Sequence, residues 1–532
     1  MKLQRLTLSL AVALAASASA HADMVSPDQA NNAWYSDAQT RLQAKIAEAN
    51  KPTINQAKNV ILFVGDGMGI STLTASRILQ GQRAGKPGEE GYLSFEEFPY
   101  SALVKTYNVD AQTPDSAGTM TAMMSGLKTD VGVIGVDEDI ERGNCATVAG
   151  NEVVTALELA EIKGLSTGVV STARITHATP AATYAHAADR NWEDISDMKV
   201  EENPERANCK DIADQLVNFE NYLEARYPGV DVNGIEVAMG GGRRHFLPKD
   251  EAANSADAVS SVEGDRSDNR NLTTEWQAAY PNGTYVMDQA GFDAINADST
   301  ERVLGLFNES HMQYEADRGN DIAGEPSIAQ MTAKAIDILD NNEKGFFLMV
   351  ESGRIDHAHH AGNAAGGLNE TIAFAQAVQA AVDNTNPEET LILVTADHSH
   401  VFTIAGYPKR GNPILGKVVG VGSTEPSLAS DSQPYTTLGY MNGRGFADLG
   451  AETDSDEGYN QDINAGRQNL TNVDTTAPGY HQESLIPSSS ETHAGEDITL
   501  HAQGPGAHMA QGVIEQSVVF HIVNRALGLT GE

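Results

Sequence analysis

The stretch TPDSAGTMTAMMSG places Ser116 directly after Pro114-Asp115 and ahead of small and apolar residues that suit a helix. No histidine lies in it and no G-x-S-x-G elbow surrounds the serine. Either Ser116 only caps a helix, or a group from elsewhere in the chain withdraws its proton. Metal-type ligands are concentrated elsewhere: Asp66, His177, Thr179, Glu351, Asp356, His360, Asp397 and His398, with His493 in the last segment. Each has a plainer use. Asp66, between glycines, can make a turn, and Asp397-His398 can end a strand and cap the next helix. Asp356 and His360, four apart, can form an ion pair on one helix face. Gathered at the ends of several apolar runs, they point instead to a metal site.

Sorting by ligand type suggests more than one ion. Imidazole with carboxylate suits zinc, and an oxygen-rich set suits magnesium. Asp356, His360 and His493 make a His-rich set; Asp66, Asp397 and His398 make a second. Glu351, Thr179 and the other oxygen of Asp66 make an oxygen set completed by water. Zinc lowers the pKa of a bound water to about 7, and acts in the same direction on a serine hydroxyl. Two ions about 4 Å apart hold the attacking and leaving oxygens of an in-line displacement. A helix start behind the serine adds backbone N–H groups for an anion. The remaining oxygens call for a guanidinium fork, for which Arg190 is the candidate and Arg174 the competitor.

The elements that must carry these residues are legible as runs. NVILFVGDGMG, STGVVSTARITHATP, GIEVAMGGG, GFFLMVESGRIDH and TLILVTADHSH are apolar stretches that end in polar residues. Each reads as a buried parallel strand reaching its C-terminal loop. VVTALELAEIKG and SIAQMTAKAIDILDNN between them read as helices, as does TRLQAKIAEAN near the start. The alternation predicts an α/β fold with a central, largely parallel sheet flanked by helices, its functional groups at the carboxyl ends of the strands. Residues 403–490 are rich in Gly, Pro, Ser, Thr and Asn and read as an insertion, because ligand-type residues resume at ETHAGEDITL. AVDNTNPEET and ETDSDEG read as solvated surface.

The 532 residues are 40% hydrophobic, enough for one large core or a core with an inserted domain. The net charge of −38 comes from 73 acidic against 35 basic residues, which argues against a nucleic-acid-binding surface. Metal sites use few carboxylates, so most of this acid is expected at the surface, as suits a saline habitat. The opening MKLQRLTLSLAVALAASASAHADM has a basic start, an apolar stretch and A-x-A-like cleavage sites. It reads as a signal peptide over 1–22 and predicts a periplasmic or secreted protein. No later run is long and apolar enough for a transmembrane anchor. In an oxidising compartment Cys145 and Cys209 could pair, two buried thiols being the alternative.

At this point the residues resemble the alkaline phosphatase family from about 57 to 525, with the motifs in family order. TPDSAGTMTAMMSG is similar to its nucleophile motif. GDGMG, VESGRIDHAHHAGN, VTADHSH and ETHAGEDI are similar to its metal motifs, and HATPAATYAHAADRNW to its magnesium and phosphate-arginine segment. The resemblance implies Ser116 as a phosphorylated nucleophile and Arg190 as the grip on phosphoryl oxygens. It implies two zinc ions and one magnesium, held by the three ligand sets above. Asp115 and His177 would stand beside these groups, and His357 on the phosphate. The enterobacterial form has Asp where His177 stands and Lys where His357 stands, whereas the animal-type form has His at both. GYPKRGNPILG and QPYTTLGYMNGRG also resemble the animal-type crown, and Cys145–Cys209 matches one of its disulfides. Asn308 and Glu325 only partly preserve the animal calcium ligands, so calcium is not carried over.

The implied partition is a catalytic domain over 23–402 and 491–532, interrupted by a crown-like insertion over 403–490. The implied activity is hydrolysis of small phosphate monoesters by a homodimer. A phosphodiesterase or sulfatase of the same superfamily is the alternative. The sulfatase lacks its C/S-x-P-x-R frame here, and diesterases usually put Thr at the nucleophile. An exported binding protein with dead chemistry would lack a core ligand or the nucleophile, and none is missing.

Overall fold

A computed structural model describes residues 32–49 and 56–530, apart from 257 and 259. The signal-peptide reading over 1–22 lies outside the described residues. The chain divides into two units, Met1–Thr53 and Ile54–Glu532. The described part of the first is essentially one helix, α1 (Ala33–Ala49), which contains most of the helix expected from TRLQAKIAEAN.

The second unit is built on a ten-stranded sheet. Its strands are β1 (Asn59–Gly65), β2 (Tyr100–Lys105), β3 (Ser166–Arg174), β4 (Val237–Gly241), β5 (Thr284–Val286), β6 (Val303–Leu306), β7 (Phe346–Ser352), β8 (Thr390–Ala396), β9 (Ile498–Gln503) and β10 (Gly512–Glu515). They lie in the order β10-β2-β9-β8-β1-β7-β3-β4-β6-β5. Only β9 runs antiparallel to its neighbours, β2 and β8. β1, β7 and β8 are buried along their whole length. That is why their sequences are unbroken apolar runs rather than alternating ones.

The helices α2 (Ile70–Arg83), α3 (Ser116–Ser125), α4 (Ala156–Lys163), α5 (Ile328–Leu339), α6 (Arg354–His360), α7 (Ala364–Asn384) and α8 (Val518–Leu527) flank the sheet. α5 shows its origin most clearly. Ser327 and Gln330 form a capping box, and the Ile328, Met331, Ala335, Ile338 and Leu339 stripe is buried.

Register sets the site. β1 pairs with β7 so that Val64 lies beside Glu351, and with β8 so that Gly65 lies beside Ala396. Three strand ends therefore finish level, and the residues just past or at them, Asp66, Glu351 and Asp397, meet. His493 arrives by a different route. His493–Ala494 pairs antiparallel with Ser399–His400, which sets His493 opposite His400.

Residues 403–490 stay outside the large sheet. Phe402–Ile404, Leu438–Gly443 and Ser484–Pro487 form a three-stranded sheet, and Ala447–Asp448 pairs with Tyr480–His481. The reading of ETDSDEG as solvated surface needs correction. Asp454 caps a short 3-10 helix there, and Asp456 accepts from the buried guanidinium of Arg354 at 2.9 Å. Cys145 and Cys209 form a disulfide.

Candidate active site

Ser116 is the first residue of α3. Asp115 caps this helix, its Oδ1 accepting the Gly118 N–H at 3.1 Å. A Cβ at position 118 would come within 2.4 Å of the Asn108 side chain, so only glycine lets the helix start seat here. Gly126, in the left-handed conformation, ends the helix. Nine of its ten residues are buried, which holds Ser116 rigidly.

Ser116 Oγ lies 3.0 Å from His398 Nε2 and 3.4 Å from Asp66 Oδ1. His398 Nε2 is also 3.3 Å from Asp66 Oδ1 and 3.3 Å from Asp397 Oδ2. One donor set of the sequence reading, Asp66, Asp397 and His398, is thus brought together beside the serine. A second set converges next to it. Asp356 Oδ1 lies 3.3 Å from His360 Nε2 and 3.4 Å from His493 Nε2, and the two nitrogens are 3.1 Å apart. α6 places Asp356 and His360 one turn apart, as their spacing predicts. In the third set Thr179 Oγ1 is 3.4 Å from Asp66 Oδ2, and Asp66, Glu351 and His177 offer ligand atoms within 4.8 Å of one another. His177 stands beside this set, with a ring nitrogen within ligand range of the Asp66 and Glu351 oxygens.

The two arginines differ in what they face. Arg190 Nη1 donates to Asp115 Oδ2 at 2.9 Å. Arg174 grips Glu193 through Nε and Nη2, at 2.8 and 2.6 Å, and also reaches His311. His357 takes part in a ring cluster, its centroid 4.1 Å from that of His311 and 5.6 Å from that of His177. Arg354 Nη1 lies 3.1 Å from His357 Nδ1.

Four buried carboxylates share this small volume: Asp66, Glu351, Asp356 and Asp397. Burial raises the Asp66 carboxyl well above its ordinary range, and the charges of Asp397, Asp356 and Glu351 add to the shift. Burial likewise pushes Glu351 up to about 8. Asp356 goes the other way: burial opposes its ionisation, but His360, His400 and His493 outweigh it. Asp397 Oδ2 and Glu351 Oε1 are buried with no hydrogen-bond partner. Buried acceptors of this kind are costly unless a cation meets them. The donor types fit: two mixed imidazole–carboxylate sets suit zinc, and the oxygen-rich third suits magnesium.

The sequence reading missed two residues here. His400 lies between Asp356 and Glu491, at 2.8 and 2.5 Å. Burial would lower its pKa, but Glu491 and Asp356 together push it up to about 10. The signal was its position two residues after His398, and Glu491 two before His493. A third constraint is Gly67, whose φ is +69°; a Cβ there would meet the His400 ring.

A family model described as alkaline phosphatase matches residues 57–529. The chain belongs to the alkaline phosphatase family. It is 40% identical over 493 residues to the human tissue-nonspecific alkaline phosphatase, covering 92% of this chain and 87% of that one. It is 40% identical over 469 residues to the alkaline phosphatase of Gadus morhua, covering 88% and 91%. Among solved structures, the alkaline phosphatase of Thermus thermophilus matches with a TM-score of 0.60 at 23% identity, covering 91% and 94%. That of the Antarctic bacterium TAB5 matches with 0.57 at 22%, covering 90% and 100%. These two carry the fold. This alkaline phosphatase is a phosphoric monoester hydrolase of a metal-dependent family, similar to the animal enzymes. The diesterase and sulfatase readings are not favoured. Among the described residues no helix is long and apolar enough to cross a membrane.

Proposed function

We propose that Ser116 is the nucleophile and Arg190 the phosphate grip of a two-step displacement at phosphorus. The observation that carries this is the position of Ser116 Oγ, within 3.0–3.5 Å of His398 Nε2 and both Asp66 oxygens. Asp356, His360 and His493 would hold one zinc ion, Asp66, Asp397 and His398 a second, and Asp66, Thr179 and Glu351 a magnesium ion. When bound, these cations supply the Lewis acidity that draws protons from serine and water and stabilises a departing oxygen.

The chain's own groups do the rest. Asp115 holds Arg190 through Nη1, and Nη2 lies 3.4 Å from His177 Nε2; the remaining guanidinium N–H groups would serve phosphoryl oxygens. The free N–H groups at the start of α3 favour the same anion. Ser116 Oγ forms a bond to phosphorus as the ester P–O bond breaks, and the departing alcohol takes up a proton. A water then attacks phosphorus from the opposite side, the Oγ–P bond breaks, and Ser116 regains its proton. The products are an alcohol and inorganic phosphate. His357 would contact the phosphate, while His177 stands beside the Asp66–Thr179–Glu351 set.

The same reading extends to setting. The 1–22 leader supports export to the periplasm or medium. The −38 charge supports an acidic, salt-adapted surface. Exposed Tyr407, Val421, Leu428 and Leu485, all within 403–490, support a homodimer that buries part of a crown-like insertion.

Ser116→Ala tests the chemistry. Turnover of an aryl phosphate is expected to fall by roughly 10³-fold or more while bound zinc is retained. Unchanged turnover removes the covalent step.

A further inference from the structure

Arg174 links the His311–His357 rings to a second group of ligand-type residues. Its partner Glu193 also accepts from Thr176 Oγ1 at 2.6 Å, so this carboxylate is fixed from two sides. Glu193 Oε2 lies 3.3 Å from Nε2 of the buried His245. The other ring nitrogen, Nδ1, lies 2.6 Å from Asp194 Oδ2 and 3.8 Å from Asp197 Oδ2. His245, Asp194 and Asp197 offer ligand atoms that all lie within 4.8 Å of one another. Backbone groups hold both carboxylates in place. Ser196 N–H donates to Asp194 Oδ1 at 2.6 Å, and Asp194 N–H donates to Asp197 Oδ2 at 3.2 Å.

We propose that His245, Asp194 and Asp197 form a divalent-cation site, separate from the catalytic sets, that takes zinc. Three features carry it. The donor set is one imidazole with two carboxylates, which suits a borderline ion such as zinc over calcium or magnesium. The imidazole is oriented as a ligand. Glu193 Oε2 stands 3.3 Å from Nε2 on the outer side, placed to take its proton when Nδ1, now hydrogen-bonded to Asp194, turns to an ion, as in the carboxylate–histidine–metal arrangement. The site also has access. Asp197 opens onto a cavity of about 470 Å³, lined further by Ser196, Asp265 and Lys249, that supplies water for the remaining coordination positions.

The acidic groups here face Arg174 at Glu193, His245 between the carboxylates and Arg266 at Asp194, with Lys199, Arg206 and Lys249 on the cavity wall. Burial, reinforced by Asp194, still pushes Asp197 up to about 6, so this carboxylate is not fully compensated by its neighbours.

The test counts metal in the intact protein. Wild type, His245→Gln and Asp197→Asn are dialysed against buffered micromolar zinc, passed through a desalting column and analysed for zinc per chain. Wild type is expected to hold one zinc ion more per chain than either variant. Should His245→Gln not fold, as judged by thermal unfolding, the partly exposed Asp197→Asn decides alone. An equal zinc count in wild type and Asp197→Asn overturns the proposal, and leaves His245 as an imidazolium held by carboxylates.

Discussion

Arg190 and the nucleophile helix are tied through one side chain: Asp115 accepts from Arg190 Nη1 at 2.9 Å on one oxygen and from Gly118 N–H at 3.1 Å on the other. The cap of α3 and the phosphate grip therefore share a carboxylate. Arg190 in turn, with burial working against ionisation, holds the Asp115 pKa below its usual value. Asp115→Asn keeps an oxygen for the cap and removes the charge facing Arg190. A hydrogen bond to a charged group is worth about 1.5–3 kcal/mol, so inorganic phosphate should inhibit roughly 10- to 100-fold more weakly. Product-inhibition constants measure this, and an unchanged constant would show that Arg190 keeps its pose without Asp115.

Four carboxylates packed between buried strand ends should make the folded chain dependent on cations. Chelation is expected to abolish aryl phosphate hydrolysis and to lower the thermal midpoint, because the carboxylates then repel one another. Zinc with magnesium should restore both; zinc alone should restore them only in part if the Asp66–Thr179–Glu351 set prefers magnesium. Activity that survives exhaustive chelation, with metal analysis reading zero, would remove the cations from the chemistry.

Asp456 reaches the site from the insertion. It accepts from Arg354 Nη2 at 2.9 Å and from Tyr314 OH at 2.7 Å, while Arg354 Nη1 meets His357 Nδ1. The Arg354 guanidinium lies over the Tyr314 ring at 3.7 Å. Asp456→Asn leaves a buried cation with a weaker partner. A loss of about 1–3 kcal/mol in stability and up to about tenfold in kcat/KM is expected, through a His357 that is less well held. Asp462→Asn, exposed in the same insertion, serves as the neutral comparison.

How far the sequence showed this site follows from where each residue sits. Asp66 and Asp397 end unbroken apolar runs, and a polar residue at such a boundary stands out. Asp356 and His360 announce themselves by helical spacing. His400 and Glu491 gave only a two-residue offset from a recognised ligand, and neither ends a long strand. His311 comes from a loop without periodicity. Asp456 was misread because a charge-rich stretch looks solvated, and its partner Arg354 lies 102 residues away in sequence. The order of the ten strands was not legible either. Apolar runs reveal that strands are parallel and buried, but their neighbours are chosen by tertiary packing.

Glu161 and Glu236 allow a pH test remote from the candidate metal ligands. Glu161 accepts from Thr167 Oγ1 and from Gly234 N–H, and Glu236 accepts from Thr167 N–H at 2.7 Å. Burial and then the neighbouring Glu236 push Glu161 up to about 8 from an ordinary 4.5. The folded chain therefore keeps a proton that the unfolded chain has already released through the intervening range. Stability from this group is whole below the ordinary carboxylate pKa and declines as pH rises toward the raised one. Glu161→Gln mimics the protonated carboxyl at every pH. Thermal midpoints of the two proteins should nearly coincide at about pH 4.5, separate in favour of the variant as pH rises, and hold a constant gap above about pH 8. Because both proteins carry the same metal ligands, the difference between the curves isolates this pair. Curves that stay parallel across the range would mean that Glu161 is already ionised in the native state, with Arg302 supplying the compensating charge.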